Sequence, residues 1–67
     1  MKNDYVRKVH SAMQTREEDV LLVNKIMLTD EDVELLKELS EIYNKTIIFG
    51  STREMIINKD NNIFVVE

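Results

Sequence analysis

Three short runs of β-branched and aromatic residues near the carboxyl end constrain the fold of this chain more than any other feature. They are residues 46–49 (Thr-Ile-Ile-Phe), 54–57 (Glu-Met-Ile-Ile) and 63–66 (Ile-Phe-Val-Val). This composition is typical of β-strands. Gly50 and Ser51 separate the first two runs, and the polar segment 58–62 separates the last two as a loop. We predict a small antiparallel β-meander at the carboxyl end.

The predicted strands are apolar on both faces, because successive side chains of a strand point to opposite sides. An antiparallel sheet with one solvated face should alternate apolar with polar residues. Two or three helices can cover only one face, so the other face needs a second copy or a protein partner. We expect this interface to include four residues, and we expect the strand at 63–66 to present an edge that is open to strand addition. The four interface residues are Ile48, Ile56, Phe64 and Val66.

The most distinct helix signal covers residues 30–44. Thr29 stands three residues before Asp32, a spacing that can cap a helix start. Apolar residues then recur at helical spacing along one stripe. Asn44 is typical of the position just past a helix end. The members of the stripe are Val33, Leu35, Leu36, Leu39, Ile42 and Tyr43.

The segment 17–28 is ambiguous, because its apolar residues lie nearly all round a helix. Thr15 and Glu18 have the spacing of a capping box, which favours a helix there. A strand over 20–28 is the alternative and would make the fold β-α-β-β. A short first helix is expected before Gln14, on the apolar residues between Tyr5 and Met13. The predicted fold is α+β, with two or three N-terminal helices packed on the meander in one small domain, residues 1–67.

The chain's size makes self-association attractive. It has 67 residues and a mass of 7.9 kDa, and it contains no cysteine. Below roughly 70–80 residues a single core rarely supplies more than about 3–5 kcal/mol, so small domains recruit a disulfide, a metal or a second subunit. Disulfides are excluded here, and we expect a homo-oligomer. The longest aliphatic run covers residues 20–23, far short of a membrane span, so we expect no membrane contact and a cytoplasmic location.

The net charge of −4 conceals an uneven distribution. Residues 1–16 carry four Lys or Arg and one Asp, and residues 17–45 carry nine acids and three lysines. The amino-terminal cations form a predicted basic patch, which consists of Lys2, Arg7, Lys8 and Arg16. Glutamates recur along the predicted helix as an acidic ridge, which consists of Glu31, Glu34, Glu38 and Glu41. The ridge is read as a solvated helix face, partly offset by a pair between Glu41 and Lys45, or as a surface for a basic partner.

The residues needed for catalysis are scarce. His10 is the only histidine, and its neighbour Ser11 would not face it on a helix. The lone Gly50 cannot build a phosphate-cradling loop. Asn58, Asp60 and Asn62 alternate like the first ligands of a calcium loop, but the glycine and the closing glutamate of such a loop are missing. We therefore expect no enzyme, no cofactor and no metal site.

These observations favour a small regulatory module, an adaptor or inhibitor that acts by occupying a protein partner. The abundance of Ile, Lys and Asn is typical of an AT-rich genome, bacterial or phage. The alternative is a nucleic-acid-associated transcriptional regulator that uses the basic patch. Nucleic acid is the less favoured partner, since the acidic ridge would repel phosphates.

Overall fold

The computed structural model describes residues 3–57 and 62–67, in which helices alternate with strands along the chain. A single 3₁₀ turn, Lys25–Met27, follows the first strand. The elements are α1 (Asp4–Thr15), β1 (Val20–Asn24), α2 (Asp30–Ile42), β2 (Thr46–Gly50), α3 (Thr52–Ile57) and β3 (Ile63–Val65).

The strands form one parallel sheet in the order β2-β1-β3. Leu22 of the central strand lies beside Ile48 of β2 and Val65 of β3. The predicted antiparallel C-terminal meander is therefore wrong. Parallel neighbours need a crossover connection that returns the chain to the same end of the sheet. Here α2 connects β1 with β2, and α3 lies between β2 and β3.

Residues 54–57, predicted as a strand, lie instead in α3. The Glu54 amide donates to the Ser51 hydroxyl, and the Ser51 amide donates to the Glu54 carboxylate, both at 3.2 Å. This reciprocal pair is a capping box, which satisfies amide groups that a helix start otherwise leaves free. A local capping signal thus starts a helix in a segment whose composition favours a strand.

The helix expected over 17–28 is also wrong, and the strand alternative is correct for Val20–Asn24. Thr15 ends α1, and its hydroxyl donates to the Ser11 carbonyl. The Glu18 carboxylate accepts two hydrogen bonds from the Arg16 guanidinium. It does not cap a helix, because the element that follows is the strand β1. The alternative order β-α-β-β matches β1, α2 and β2. It lacks α1, which comes before β1, and α3, which lies between β2 and β3.

The prediction of α2 is confirmed at its start, and the helix ends at Ile42, two residues before the predicted end. Thr29 and Asp32 form the capping box at its start. Asn44 follows its end with a φ of 55°, and the Lys45 amide donates to the Ser40 carbonyl at 2.8 Å. Asparagine tolerates this left-handed conformation, which lets the chain turn directly into β2.

One side of the sheet, which we call face A, packs against α1 and α2. Its strand residues are Leu21, Val23, Ile47, Phe49 and Phe64. Leu21 and Val23 are completely buried. The helices contribute most of the remaining buried core, namely Tyr5, Val6, Val9, Ala12, Met13 and Leu36.

The opposite side, face B, packs against α3. A methyl group built on Gly50 would lie 2.9 Å from the Leu22 Cδ1 atom and 3.3 Å from a Glu54 carboxylate oxygen, so α3 lies close over this corner. The step from β1 to β2 and the step from β2 to β3 go in opposite directions across the sheet. Because crossover connections are right-handed, opposite steps place α2 and α3 on opposite faces. The strand residues of face B are Val20, Leu22, Asn24, Thr46, Ile48, Gly50, Ile63 and Val65.

Candidate interaction surfaces

Face B is incompletely covered. Leu22 is 1% exposed, but its neighbour Ile48 in the adjacent strand is 39% exposed. Helix α3 has only six residues, and its Ile56 and Ile57 are 68% and 69% exposed. The helix therefore covers Leu22 and Gly50 and leaves apolar surface open beside them.

The strand residues on face B carry no ionisable side chain within the part of the chain that the structure describes. Burying a charge without a partner costs far more than burying an apolar group. A second apolar surface can therefore pack on these strands without that penalty. Two copies of face B are compatible in the same way, because neither brings a like charge from its strands.

The structure separates the four residues expected at the interface. Ile48 and Ile56 are exposed on the face B side. Phe64 instead packs on the core of face A, and Val66 is 3% exposed. The four residues would share one face only if 54–57 were a strand of an antiparallel sheet, and this segment lies in α3 instead. In the parallel register Phe64 lies beside Leu21, on the side opposite to Ile48.

The acidic ridge lies along α2 and is exposed at all four glutamates. Among the described residues its one ion pair joins Glu34 to Lys37, with N and O atoms 3.9 Å apart. The expected pair between Glu41 and Lys45 is absent there. The Lys45 ammonium instead donates to the backbone carbonyls of Arg16 and Glu18, at 3.1 and 2.9 Å. It stabilises the loop before β1 and leaves Glu41 without that cation.

The basic patch is divided, because Lys8 and Arg16 line one surface groove and Arg7 is not part of its lining. Lys2 lies outside the described residues, and the Arg7 guanidinium lies 3.9 Å from the Asp4 carboxylate. Arg16 donates two hydrogen bonds to Glu18, which raise the pKa of the guanidinium and lower the pKa of the carboxyl. The same guanidinium lies 4.2 Å from the centre of the Phe64 ring. Arg16 is thus held on face A, away from Arg7.

His10 lies in a polar contact between α1 and α2. Its Nε2 atom is 3.1 Å from the Tyr43 hydroxyl oxygen, which also accepts a hydrogen bond from the Gln14 side chain at 3.0 Å. None of these partners is a carboxylate that could orient the imidazole in a catalytic triad. In residues 3–57 and 62–67 no cluster of three His, Cys, Asp or Glu could hold a metal ion. Of the three residues weighed for calcium, Asn58 and Asp60 lie outside the described residues.

Tyr5 has a structural role that its place in an apolar stripe of the sequence does not reveal. Its buried hydroxyl donates to the Val66 carbonyl and accepts from the Asn24 amide at 2.8 Å. Burial raises the pKa of this hydroxyl. The usable signal is chemical, because a buried tyrosine hydroxyl normally finds a hydrogen-bond partner.

The position of Tyr5 also bears on ligand binding. Open α/β sheets bind small molecules outside the carboxyl ends of their strands. In this sheet the Tyr5 hydroxyl joins the ends of β1 and β3, and the Asn24 side chain donates to Thr52 at 3.1 Å. Hydrogen-bonded side chains therefore lie at the carboxyl ends of these strands.

Comparison with protein-family models, with curated proteins and with solved structures finds no match to this chain. Within the described part of the chain, no helix is both long and apolar enough to cross a membrane.

Proposed function

We propose that this chain is a protein-interaction module that self-associates through face B and acts by occupancy. The observation that carries the proposal is the exposure of Ile48, at 39%, in a strand whose neighbour Leu22 is buried. The strands around Ile48 present no charge on this face. The surface that covers this part of face B is therefore apolar, and a second copy of face B meets that requirement.

The size of the chain supports the same proposal. A chain of 67 residues has a small core, and self-association is one of the few ways to enlarge it without a disulfide or a metal. A two-fold dimer uses the same patch on both subunits, which suits a face without charged strand residues. The absence of cysteine is compatible with a reducing compartment, and we place the module in the cytoplasm.

Sedimentation velocity of three matched variants tests the proposal. Ile48→Glu and Ile56→Glu place a charge on the face B side, and both should convert a dimer into a monomer. Ile42→Glu is the control, because Ile42 is an isoleucine of α2 that is 72% exposed. This variant should remain dimeric. A wild-type chain that sediments as a monomer at all concentrations would contradict the proposal, as would equal effects of all three variants.

A further inference from the structure

Strand β2 is the longer of the two edge strands, and its edge is unprotected. It has five residues, with the sequence Thr-Ile-Ile-Phe-Gly, and pairs only with β1 among the described strands. Edge strands that avoid further pairing are very short or carry charges or proline, and β2 has none of these features. The other edge strand, β3, has three residues, and the Arg16 guanidinium lies over its Phe64 ring. The edge of β2 is therefore the one that favours an added strand.

The free backbone groups of β2 lie on either side of Ile48. The Thr46 amide donates to the Asp19 carbonyl at 2.8 Å, which directs the backbone groups of Thr46 and, by alternation, of Ile48 toward β1. The amide and carbonyl groups of Ile47 and Phe49 therefore point away from the sheet. These outward groups are placed symmetrically about Ile48.

This symmetry makes the edge complementary to a second copy of itself. If two copies of β2 lie antiparallel, Ile47 of each copy can lie opposite Phe49 of the other, and each such pair exchanges two backbone hydrogen bonds. All the outward groups of both strands are then bonded. The same register places Ile48 opposite the partner's Ile48, in a pair without hydrogen bonds whose Cα atoms lie about 4.5 Å apart.

The side chains of β2 suit the same pairing. Opposite residues of an antiparallel pair have their side chains on one face, so the two Ile48 side chains meet on face B. Ile48 is 39% exposed in the single subunit, and its counterpart covers part of that surface. Pairs of β-branched and aromatic residues stabilise a sheet, whereas like charges placed opposite each other destabilise it. Strand β2 offers such apolar pairs and has no charged residue, so it selects a second copy as its neighbour.

We infer that two subunits join edge to edge through antiparallel β2 strands, with the two-fold axis beside Ile48. The inference rests on the proposed self-association and specifies its geometry. The two three-stranded sheets become one sheet of six strands, in which face B continues from one subunit to the other. The assembly closes as a dimer, because each subunit uses its β2 edge once.

Amide hydrogen exchange of the wild-type chain, followed by nuclear magnetic resonance, tests the strand pairing. The reference is the Ile48→Glu protein, in which two carboxylates would lie opposite each other and keep the subunits apart. The amides of Ile47 and Phe49 should exchange about tenfold or more slowly in the wild-type dimer than in this monomer, because pairing protects them from water.

The other edge of the sheet supplies a control within the same molecule. The Val66 amide donates to the Leu22 carbonyl at 2.9 Å, so the amides of Ile63 and Val65 point away from β1 by the same alternation. These two amides should exchange at the same rate in the wild type and in the Ile48→Glu protein.

Single-cysteine variants test the register, since the chain contains no cysteine of its own. Ile48→Cys should form a disulfide between subunits on mild oxidation, because a Cα separation of about 4.5 Å suits a disulfide. Thr46→Cys is the matched control on the same strand and face. Its two copies would lie about 13 Å apart along the strands, beyond the roughly 7 Å that a disulfide can bridge. On a non-reducing gel this control should remain a single subunit.

The outcomes distinguish the strand pairing from self-association itself. A wild-type dimer whose Ile47 and Phe49 amides exchange as fast as in the Ile48→Glu protein would overturn the edge pairing and leave association through face B standing. Protection of Ile63 and Val65 instead would also overturn it. Equal disulfide formation in both cysteine variants, or none in either, would contradict the register. A wild-type chain that sediments as a monomer would overturn both this inference and the proposed function.

Discussion

The two faces of the sheet contain similar apolar residues but differ in how they are covered. Face A lies under helices of 12 and 13 residues, and its Leu21 and Val23 are completely buried. Face B has one helix of six residues, and its Ile48 remains 39% exposed. The length of the covering helices, rather than the composition of the strands, decides which face is fully buried. Face A therefore accounts for the stability of the subunit, and face B is available for association.

The largest expected difference between the faces is in the cost of truncating a side chain. Leu21→Ala should lower the free energy of unfolding by about 2–5 kcal/mol, because it leaves a cavity among fully buried neighbours. Ile48→Ala should cost about 1 kcal/mol in the monomer, because that side chain is 39% exposed and its truncation leaves no closed cavity. Urea unfolding at low protein concentration measures both. Equal costs would remove the distinction between the faces.

Tyr5→Phe tests the hydrogen bonds that join α1 to the strand ends. The substitution leaves the Asn24 amide and the buried Val66 carbonyl without their partner, and we expect a loss of about 1–3 kcal/mol. Tyr43→Phe is the matched control. Its hydroxyl contacts His10 and Gln14 in a half-exposed position, and its loss should cost less than about 0.5 kcal/mol. A control that costs as much as Tyr5→Phe would disprove the special role of Tyr5.

Gly50→Ala tests how closely α3 packs on face B. The added methyl would lie 2.9 Å from Leu22 Cδ1, and Leu22 is buried. We expect a loss of about 1 kcal/mol from overpacking. Combined with Leu22→Ala, the same substitution should cost less than the sum of the single changes, because the atom it meets is gone. Strict additivity in urea unfolding would show that the contact is not tight.

The smallest effect concerns pH at the junction of α1 and α2, above face A. The Thr29 amide donates a hydrogen bond to the Asp32 carboxylate, and the Asn3 side chain donates a second one. The bond from the Thr29 amide is the largest of the influences that hold the pKa of Asp32 below its ordinary value of 3.8. A lowered folded-state pKa stabilises the protein above the ordinary value, and this contribution is lost as the pH falls through the lowered pKa.

Asp32→Asn removes that titration while keeping an acceptor for the Thr29 amide. The variant should lose less stability than the wild type when urea unfolding is repeated at pH 7 and at pH 3. Glu31→Gln is a control on the same helix turn, since no ion pair among the described residues involves Glu31. If Asp32→Asn loses as much stability as the wild type between pH 7 and pH 3, the helix cap does not depend on the charge of Asp32.

The sequence was sufficient for elements with a local signal. Helix α2 follows from its capping box, its apolar stripe and Asn44. Strands β2 and β3 follow from their composition. The direction of pairing is not specified by any one short apolar run, but it has a signal in the three runs together. Apolar residues on both faces are typical of parallel strands, whose crossover helices pack on both sides, and the antiparallel interpretation missed that explanation.

The candidate surface was only partly predictable for the same reason. Ile48 and Ile56 were identified from apolar alternation, and both are exposed on the face B side. Phe64 and Val66 were predicted on the same face, because 54–57 was predicted as a strand between β2 and β3. In the parallel sheet Phe64 lies beside Leu21 instead, on face A. The Ser51–Glu54 pair was the signal that could have prevented this error. Tyr5 bridges the ends of strands β1 and β3, which only the folded topology brings together.

The dependence of unfolding on protein concentration tests self-association through face B most directly. If two subunits associate there, the urea midpoint of the wild type should rise across a hundredfold increase in concentration, by the equivalent of about 2.7 kcal per mole of dimer. The midpoint of Ile48→Glu should stay constant over the same range. A wild-type midpoint that does not change with concentration, or an Ile48→Glu midpoint that rises as the wild type does, would contradict the assignment of face B as the association surface.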